Sequence, residues 1–517
     1  MPVAAGFMPA RFGFDRPSLW FFAPDSIIIL VLTRMIGAEI NMAVLKNYIG
    51  GEWVDGAETI RSINPSDTNE VVADCAVASA KQVADAVGAA RQALKQWSQT
   101  TTQVRSDLLH KIGTELLERK DGLGECIARE EGKTRAEGIG EIIRAAQVFR
   151  FFAGEVVRFG GEKLPSVRPN IDIEVSRSPV GVIGIITPWN FPVAIPAWKI
   201  GPALAFGNTV VFKPSELTPM MGWHLAEIIS RAGGPPGILN LVMGTGPTTG
   251  QAVVDNVDAV TFTGSVATGR QIAQRAIQRM IRLQCEMGGK NPLVVLDDAD
   301  LDTAVACAVD GAFFQTGQRC TASSRLIVTE KIHDRFVDAV VERLRKLVID
   351  NSLKPTTNVG PAVDQRQLDK DMRYLDVGLR EGATVKLEGG LLKRDTPGHY
   401  ISPTLFVDTT NQMQINREEI FGPIAATIRV KDYDEALAIA NDTEYGLSAG
   451  ICTTSRKYAR HFQANAQSGL VMVNLPTAGL DYHVPFGGTK ASSYGPREQG
   501  RYAEEFYTVV KTSYLSV

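Results

Sequence analysis

The sequence predicts an α/β protein with two doubly wound domains, and three observations support that prediction. Apolar runs of strand length alternate with segments of helical spacing from Val180 to about residue 281. The same alternation begins again at Pro292 and continues to about residue 475. Such a pattern is typical of parallel sheets covered by helices on both faces. A chain of 517 residues is also too long for a single hydrophobic core.

The composition is that of an ordinary globular protein, with 44% apolar and 21% charged residues. A net charge of -3 gives no reason to expect nucleic acid or an acidic membrane as a partner. The six cysteines include no C-x-x-C pair and fit a reducing cytoplasm, and the six dispersed histidines indicate no metal site. We therefore expect a cytoplasmic protein that binds no metal, nucleic acid or membrane.

The first 41 residues do not match the rest of the chain. Their apolar run, Ser26 to Leu32, is far shorter than the roughly twenty residues a membrane helix needs. It also lacks the cleavage site of a signal peptide. We expect residues 1–41 to be a disordered extension, with the fold beginning at Met42.

Residues 42–159 predict a hairpin followed by helices. The hairpin is expected at 48–54, and helical spacing recurs at 79–97, 108–117 and 142–152. A different pattern follows over 160–179, where prolines and alternating residues predict an extended arm. The terminal segment 500–517 alternates as well, and we expect the two segments to form a β-strand arm between subunits.

From Pro179 onwards the alternation gives individual elements. The expected elements are strand 180–187, helix 197–206, a strand at T-V-V-F-K, helix 220–232, strand 238–243, helix 247–255, strand 258–263 and helix 266–281. We place the domain boundary at Gly288-Gly289. The predicted domains are then 42–159 with 180–288, and 289–499.

Cys320 ends the small-residue turn F-F-Q-T-G-Q-R-C and is the first candidate for chemistry. Gly317 suits a tight turn, and Arg319 would stabilise a neighbouring thiolate. A lone cysteine is more often a small core residue, so this pattern alone leaves both interpretations open.

Three strand ends carry polar residues, and ligands of doubly wound sheets bind beyond such ends. They are Asn190 in P-W-N-F-P, Lys213 with Glu216 after T-V-V-F, and Gly264-Ser265 before a helix. The last suits a phosphate at a helix N-terminus. At the domain boundary, partial burial of Glu286 would raise its pKa towards that of a general base. Each group alone also fits ordinary turns and loop charges.

Together these segments resemble the aldehyde dehydrogenase superfamily from about residue 44 to 517. The resemblance rests on seven motifs in the family's order: P-W-N-F-P (188–192), V-F-K-P-S-E (211–216), F-T-G-S (262–265), E-M-G-G-K (286–290), G-Q-R-C (317–320), E-E-I-F-G-P (418–423) and P-F-G-G-T-K (485–490). It implies that Cys320 attacks an aldehyde, that Asn190 holds the oxyanion, and that Glu286 activates the water that hydrolyses a thioester.

The resemblance also implies a nicotinamide cofactor. The implied contacts are Trp189, Lys213, Ser215, Glu216, Gly264, Ser265, Glu419 and Phe421. Glu216 would repel a 2′-phosphate and so favours NAD, whereas Lys213 and Ser215 leave NADP as the alternative. Because Glu286 is present, hydrolysis is favoured over transfer of the acyl group to coenzyme A.

The substrate tunnel implied by the motifs is largely aromatic. Its expected residues are Phe191, Trp198, Phe314, Leu480 and Phe486. The amino-acid sequence as a whole resembles that of one subgroup, the α-ketoglutaric semialdehyde (2,5-dioxopentanoate) dehydrogenases, whose substrate carries a distal carboxylate. An arginine is the natural partner of that carboxylate. Some semialdehyde dehydrogenases place an arginine at the positions that Trp198 and Phe314 occupy here. Arg319 and His483 are the expected substitutes.

Two alternatives stay open. The aromatic tunnel also suits apolar, aromatic or betaine-type aldehydes, the last by cation–π attraction. A cysteine hydrolase that needs no nucleotide would use the same nucleophile and base. The resemblance further implies a homodimer or homotetramer.

Overall fold

The computed structural model describes residues 44–516. The extension expected over residues 1–41 lies outside this part of the chain. The fold begins with two hairpins and four helices. They are β1 (Asn47–Ile49), β2 (Glu52–Val54), β3 (Glu58–Ile63), β4 (Val71–Val77), α1 (Ala80–Trp97), α2 (Thr102–Glu118), α3 (Lys120–Glu131) and α4 (Arg135–Glu155).

Capping boxes fix the starts of two of these helices. Ser79 and Gln82 exchange hydrogen bonds at the start of α1, and Thr134 and Glu137 do so at the start of α4. The buried positions of α1 recur every three to four residues, which explains why its helical spacing was visible in the sequence.

The next segment builds most of the first sheet. Its elements are β5 (Glu162–Pro165), β6 (Ile171–Pro179), β7 (Val182–Ile186), α5 (Ala194–Ala205), β8 (Thr209–Lys213), α6 (Pro219–Arg231), β9 (Leu239–Leu241), α7 (Gln251–Asn256), β10 (Ala259–Thr263), α8 (Val266–Gln278) and β11 (Arg282–Glu286). Every residue of β7, β8 and β10 is buried, as expected of strands covered on both faces.

One expected element differs from the structure. The helix expected over 266–281 ends at Gln278, and a strand that was not predicted, β11, follows it. Met280 adopts a left-handed backbone conformation with a φ of 55°, which stops the helix and turns the chain towards the sheet. Glu286 consequently ends a strand beside β10 and does not lie at a helix end.

The remaining residues build the second sheet and return to the first. The elements are β12 (Asn291–Val295), α9 (Leu301–Ala312), β13 (Ser323–Thr329), α10 (Glu330–Leu344), α11 (Gln365–Arg380), β14 (Thr384–Leu387), β15 (Thr404–Val407), α12 (Gln414–Arg417), β16 (Ile424–Val430), α13 (Tyr433–Asn441), β17 (Ser448–Cys452), α14 (Arg456–Asn465), β18 (Leu470–Val473), β19 (Ser493–Tyr494), α15 (Glu504–Tyr507) and β20 (Thr508–Ser516).

The order of the strands in the first sheet indicates where a ligand-binding crevice lies. The order is β19-β11-β10-β7-β8-β9-β1-β2, with parallel pairing from β11 to β9 and antiparallel strands at both edges. The chain winds from β7 to β9 in one direction and places β10 and β11 on the other side. The topological switch point therefore lies between β7 and β10, and ligands bind at such a point.

The second sheet has the order β14-β15-β16-β13-β12-β17-β18 and is parallel except at β14. A separate three-stranded sheet joins β20, β6 and β5, so the expected arm segments do pair with one another. The pairing of β19 with β11 carries part of the predicted 289–499 domain onto the first sheet. The division into domains stays a prediction.

Candidate active site

A cleft lies at the carboxyl ends of β7 and β10, at the switch point of the first sheet. It brings residues from the predicted cofactor set and the predicted catalytic set together. Its lining consists of Pro188, Trp189, Asn190, Ile195, Thr263, Gly264, Ser265, Met287, Gly288, Cys320, Gln367, Lys370, Glu419 and Phe421.

A left-handed turn delivers Cys320 to this cleft. Three consecutive residues, Gln315, Thr316 and Gly317, have φ angles of 52°, 57° and 67°. Non-glycine residues rarely adopt this conformation, and surrounding contacts must hold them in it. Glu137 accepts a hydrogen bond from the backbone N–H of Gln315 at 3.2 Å, and the Thr316 hydroxyl donates to backbone carbonyls of the neighbouring loop. A β-carbon at position 317 would lie 2.2 Å from the carbonyl oxygen of Gly422, so only glycine fits there.

The thiol of Cys320 is in a setting that keeps it protonated. Burial raises its pKa to about 12, and the negative charges of Glu419 and Glu286 contribute in the same direction. The charge of Arg319 interacts favourably with a Cys320 thiolate but does not offset these effects, and its guanidinium contacts the end of α9. There it donates to the carbonyl oxygens of Asp310 and Gly311 at 2.5 and 3.1 Å. A base is therefore needed to activate the thiol.

Asn190 lies next to the turn that carries the nucleophile. Its buried side-chain amide donates to the carbonyl oxygen of Gln318 at 3.0 Å. Its own backbone carbonyl accepts a hydrogen bond from Lys133 Nζ at 2.7 Å. The hydrogen bond to Gln318 brings the Asn190 amide next to a residue two positions before Cys320 in the chain. An oxyanion site requires such a donor near the nucleophile.

Lys133 and Glu141 support Asn190, and the sequence did not single them out. Their side chains form an ion pair at 2.7 Å, and both are 1% exposed. Glu141 also accepts hydrogen bonds from the backbone N–H groups of Val193 and Ala194 at 2.8 and 3.0 Å. The pair thus fixes the loop that carries Asn190. The only signal in the sequence was the segment Gly132-Lys133-Thr134, which resembles an ordinary helix separator.

Glu286 ends β11 with its carboxyl group buried. One carboxyl oxygen accepts a hydrogen bond from the Ser493 hydroxyl. Burial raises the pKa of Glu286 well above its usual range, and the charge of Glu498 raises it further. A carboxylate with a raised pKa is a stronger base near neutral pH, which agrees with the expected role.

A second buried carboxylate, Glu498, contacts two residues of α5. It accepts the indole N–H of Trp198 at 2.7 Å and forms an ion pair with Lys199. The Trp198 ring lies 5.4 Å from the ring of Phe486, measured between centroids. Two of the expected tunnel residues are thus packed together. Neither Lys199 nor Glu498 was identified from the sequence.

The residues expected to bind adenosine form an ion pair at the end of β8. Lys213 Nζ lies 3.1 Å from Glu216, and burial lowers the pKa of Lys213. Burial would raise the pKa of Glu216, but the charge and hydrogen bond of Lys213, a backbone hydrogen bond and the charge of Arg366 together hold that pKa below its usual range. Ser215 instead accepts a hydrogen bond from the N–H of Leu217.

The other expected cofactor residues lie around the cleft. Ser265 caps α8 by accepting the N–H of Thr268 at 3.3 Å. Glu419 accepts the N–H of Gly289 at 2.8 Å. The ring of Trp189 meets that of Phe421 edge-on at 5.5 Å. Two further lining residues, Gln367 and Lys370 on α11, escaped the sequence analysis because they lie on a helix without a recognisable motif.

The remaining expected substrate residues lie outside the lining of the Cys320 cleft. Phe191 lies 4.2 Å below the ammonium of Lys133, and Phe314 packs against the core of the second sheet. Leu480 is half-buried and His483 is exposed. The carbonyl contacts of Arg319 do not favour it as the partner of a substrate carboxylate.

Within residues 44–516, no cluster of three or more His, Cys, Asp or Glu side chains is arranged to hold a metal. The helices of that same part are all too short or too polar to cross a membrane.

Comparison with known proteins gives consistent matches. A family model described as the aldehyde dehydrogenase family matches residues 53–513. An alpha-ketoglutaric semialdehyde dehydrogenase of Bacillus subtilis is 41% identical over 478 residues, covering 91% of this chain and 97% of that protein. An alpha-ketoglutarate semialdehyde dehydrogenase of Haloferax volcanii is 42% identical over 480 residues, covering 91% and 99%.

Solved structures match equally well. The crystal structure of betaine aldehyde dehydrogenase from Staphylococcus aureus in complex with NAD+ has a TM-score of 0.89 and 33% identity. That match covers 92% of this chain and 95% of the other. The similarity confirms the predicted α/β architecture.

Proposed function

The chain belongs to the aldehyde dehydrogenase family, and on that premise we propose that it oxidises 2,5-dioxopentanoate to 2-oxoglutarate with NAD as the hydride acceptor. One observation carries the proposal: Cys320 and Asn190 line one cleft, and the charge of Glu286 acts on the Cys320 thiol. The semialdehyde is proposed because the two relatives at 41% and 42% identity carry that activity in their names.

The residues around the cleft fit NAD. The exposed N-terminus of α8 at Ser265 offers backbone N–H groups to a pyrophosphate. The Glu216 carboxylate accepts from ribose hydroxyls and repels a 2′-phosphate, and Glu419 reaches the cleft from the other side. When bound, NAD supplies a two-electron acceptor for the hydride of the substrate.

The proposed chemistry begins at Cys320. Its sulfur forms a bond to the aldehyde carbon, and the thiol proton passes to Glu286. The Asn190 amide and the backbone N–H of Cys320 hold the oxygen, which becomes an oxyanion. Departure of the carbon-bound hydrogen as hydride leaves a thioester on Cys320.

The same base completes the cycle. Glu286 first releases the thiol proton to solvent and then takes a proton from water, the hydroxide adds to the thioester carbon, and the carbon–sulfur bond breaks. The carboxylic acid leaves and the thiol regains its proton. The raised pKa of Glu286 suits both proton transfers, since a base works best when its pKa lies near the working pH.

The second candidate is an aldehyde dehydrogenase for betaine-type or aromatic aldehydes. The stacked rings of Trp198 and Phe486 favour it, because aromatic faces attract quaternary ammonium groups. A structural neighbour is a betaine aldehyde dehydrogenase at 33% identity.

One assay separates the candidates. We expect kcat/KM for 2,5-dioxopentanoate to exceed the values for betaine aldehyde, benzaldehyde and hexanal by at least about tenfold, or about 1.4 kcal/mol in transition-state binding. A smaller preference would remove the semialdehyde. Cys320→Ala should abolish turnover, whereas Cys126→Ala, a half-buried cysteine on α3, should retain it. Aldehyde-independent ester cleavage without nicotinamide reduction would instead support the hydrolase.

The three-stranded sheet of β5, β6 and β20 supports a proposed homodimer or homotetramer. Most of β20 is exposed, including the apolar side chains of Val510, Tyr514 and Leu515. We also propose a cytoplasmic location, in line with six free cysteines. Light scattering with and without residues 508–517 tests the assembly.

A further inference from the structure

Arg144 on α4 carries a half-buried positive charge that no described carboxylate neutralises. Across residues 44–516, no ion pair within 4 Å involves its guanidinium. Its NH1 donates to the carbonyl oxygen of Leu480, and its NH2 donates to Gln499 Oε1 at 3.1 Å. Both acceptors are neutral, and they use two of the five donors of the guanidinium. Burial lowers the pKa of Arg144, and the charges of Asp481 and Glu141 offset that effect only in part.

The nearest carboxylates are not available to it. Glu141 acts on Arg144 only through space, since its oxygens already accept from Lys133 and from two backbone N–H groups. Asp481 is exposed to solvent and likewise forms no ion pair with Arg144. The guanidinium therefore retains donors for a further partner.

Arg144 is connected to the cleft of Cys320 through α5. Ile195 lines the cleft together with Cys320. Trp198 follows one helical turn later on α5, about 4.5 Å further along the axis. The guanidinium carbon of Arg144 lies 5.9 Å from the centroid of the Trp198 ring. The cation thus contacts a ring that is one helical turn from a residue of the cleft lining.

The unpaired groups around Arg144 are hydrogen-bond donors, and they require acceptors. Gln499 Nε2 is buried and finds no acceptor within the described part of the chain. Its oxygen already faces Arg144, which fixes the orientation of the amide. A carboxylate consists only of acceptors and can take two parallel hydrogen bonds from a guanidinium. An uncharged or cationic aldehyde would leave the Arg144 charge unmatched.

We propose that Arg144 binds the distal carboxylate of the substrate and so selects aldehydes that end in a carboxyl group. This inference rests on the proposed oxidation of a semialdehyde. It explains how the chain accepts such a substrate with Trp198 and Phe314 where related enzymes place an arginine. The ring of Trp198 forms the wall beneath the cation, and Leu480 and Gln499 hold the guanidinium in place.

The test compares matched aldehydes in the wild type, Arg144→Met and Arg144→Lys. The carboxylate substrates are 2,5-dioxopentanoate and 4-oxobutanoate, and the uncharged partners of equal length are pentanal and butanal. We expect Arg144→Met to lower kcat/KM for the carboxylate substrates about 100-fold, mainly through KM, because a buried charge contact is lost. Pentanal and butanal should change by less than threefold. Arg144→Lys should restore part of the loss.

A control on the same helix is Arg150→Met, which removes an exposed arginine that only contacts Thr114. It should leave all four substrates unchanged. Inhibition by the product analogue 2-oxoglutarate should also weaken in Arg144→Met, which reports binding without turnover.

The outcomes separate this inference from the proposed function. Equal losses for charged and uncharged aldehydes would mean that Arg144 only supports the fold, and an unchanged charged-to-uncharged ratio would also refute the inference. If the wild type does not prefer 2,5-dioxopentanoate to pentanal, the proposed substrate is wrong. A tenfold or larger fall in the ratio of 4-oxobutanoate to butanal would then still support Arg144 as a carboxylate site.

Discussion

The side-chain amide of Asn190 donates a hydrogen bond to the backbone carbonyl of Gln318 at 3.0 Å. This contact joins the loop after β7 to the turn before the nucleophile. An aldehyde oxygen that bound near Cys320 would compete with that carbonyl for the amide. The donor is held in place by the structure before any substrate arrives, which is the condition for efficient stabilisation of an oxyanion.

Asn190→Ala should lower kcat by about 10² to 10³-fold, because one preorganised donor to the oxyanion is lost. KM should change much less, since the ground-state carbonyl needs the donor less than the oxyanion does. Steady-state kinetics with 2,5-dioxopentanoate measures both parameters. The matched control is Asn256→Ala on α7, whose amide only bonds within its own helix. A loss of less than fivefold in Asn190→Ala would count against the oxyanion role.

Glu286→Gln should slow both halves of the reaction. The variant can take a proton neither from the Cys320 thiol nor from the hydrolytic water, so steady turnover should slow by about 10² to 10⁴-fold. Single-turnover kinetics should show slower nicotinamide reduction, and intact protein mass spectrometry should show that the acyl group formed on Cys320 decays slowly. The matched control is Glu435→Gln at the start of α13, where the half-buried carboxylate accepts the N–H of Lys431. Fast turnover without an acyl adduct would exclude Glu286 as the hydrolytic base.

The same substitution should stabilise the fold at neutral pH. The pKa of Glu286 is raised in the folded state by burial and by Glu498, so the folded state binds a proton more tightly than the unfolded state. The free energy of unfolding should therefore fall as pH rises above about 4.3, at about 1.4 kcal/mol per pH unit up to the folded pKa. Glu286→Gln should lack the part of this decline that Glu286 contributes, while Glu130, Glu131 and Asp371, whose pKa values burial raises to about 8, contribute in both proteins. Urea unfolding at pH 4, 6 and 8 measures it, and equal slopes in both proteins would contradict the prediction.

Glu216→Gln should shift cofactor preference towards NADP. The substitution removes a charge that repels a 2′-phosphate and frees the Lys213 ammonium, now 3.1 Å from Glu216, to contact that phosphate. We expect kcat/KM for NADP to rise about tenfold, equivalent to about 1.4 kcal/mol. Initial rates with both cofactors at fixed aldehyde give the ratio. No change in this ratio would place the adenosine ribose elsewhere.

Lys133→Met should destabilise the fold and slow the reaction. The substitution leaves the buried Glu141 carboxylate without its partner, a loss of about 3–5 kcal/mol in the free energy of unfolding. Lys133→Met combined with Glu141→Gln should recover part of that loss, since Gln carries no charge. Denaturant unfolding of the three proteins measures the effect. Equal stability of Lys133→Met and the wild type would show that the pair contributes nothing.

The sequence predicted the strands and the reactive groups where local signals were strong. Fully buried strands such as β7 and β8, and motifs that contain Asn190, Glu286 and Cys320, lie in continuous stretches. Helix 266–281 was wrong at its end, because the left-handed turn at Met280 depends on the pairing of β11 with β10. That pairing joins two segments only once the sheet has formed.

The supporting residues could not be found in the same way. Lys133, Lys199 and Glu498 are charged side chains that would ordinarily be assigned to the surface. Each is buried against an opposite charge, Lys133 against Glu141 on the helix that follows it, and Lys199 against Glu498 from a distant segment. Arg144 differs because its unmatched charge becomes visible only beside Trp198 and Leu480. The rule that ligands bind beyond the carboxyl ends of strands accounts for only half of the site, because Cys320 lies before the strand β13 and not after it.

The return of residues 493–499 to the first sheet has a consequence for synthesis of the protein. Ser493 donates a hydrogen bond to Glu286, and Glu498 accepts one from Trp198 and pairs with Lys199. Residues that the ribosome translates early therefore depend on contacts with residues that it translates much later. A nascent chain that has already exposed Cys320 still lacks the partners that set its base and its tunnel. Aldehyde chemistry is thereby postponed until translation has passed these residues. A chain that ends before residue 493 therefore lacks a complete active site.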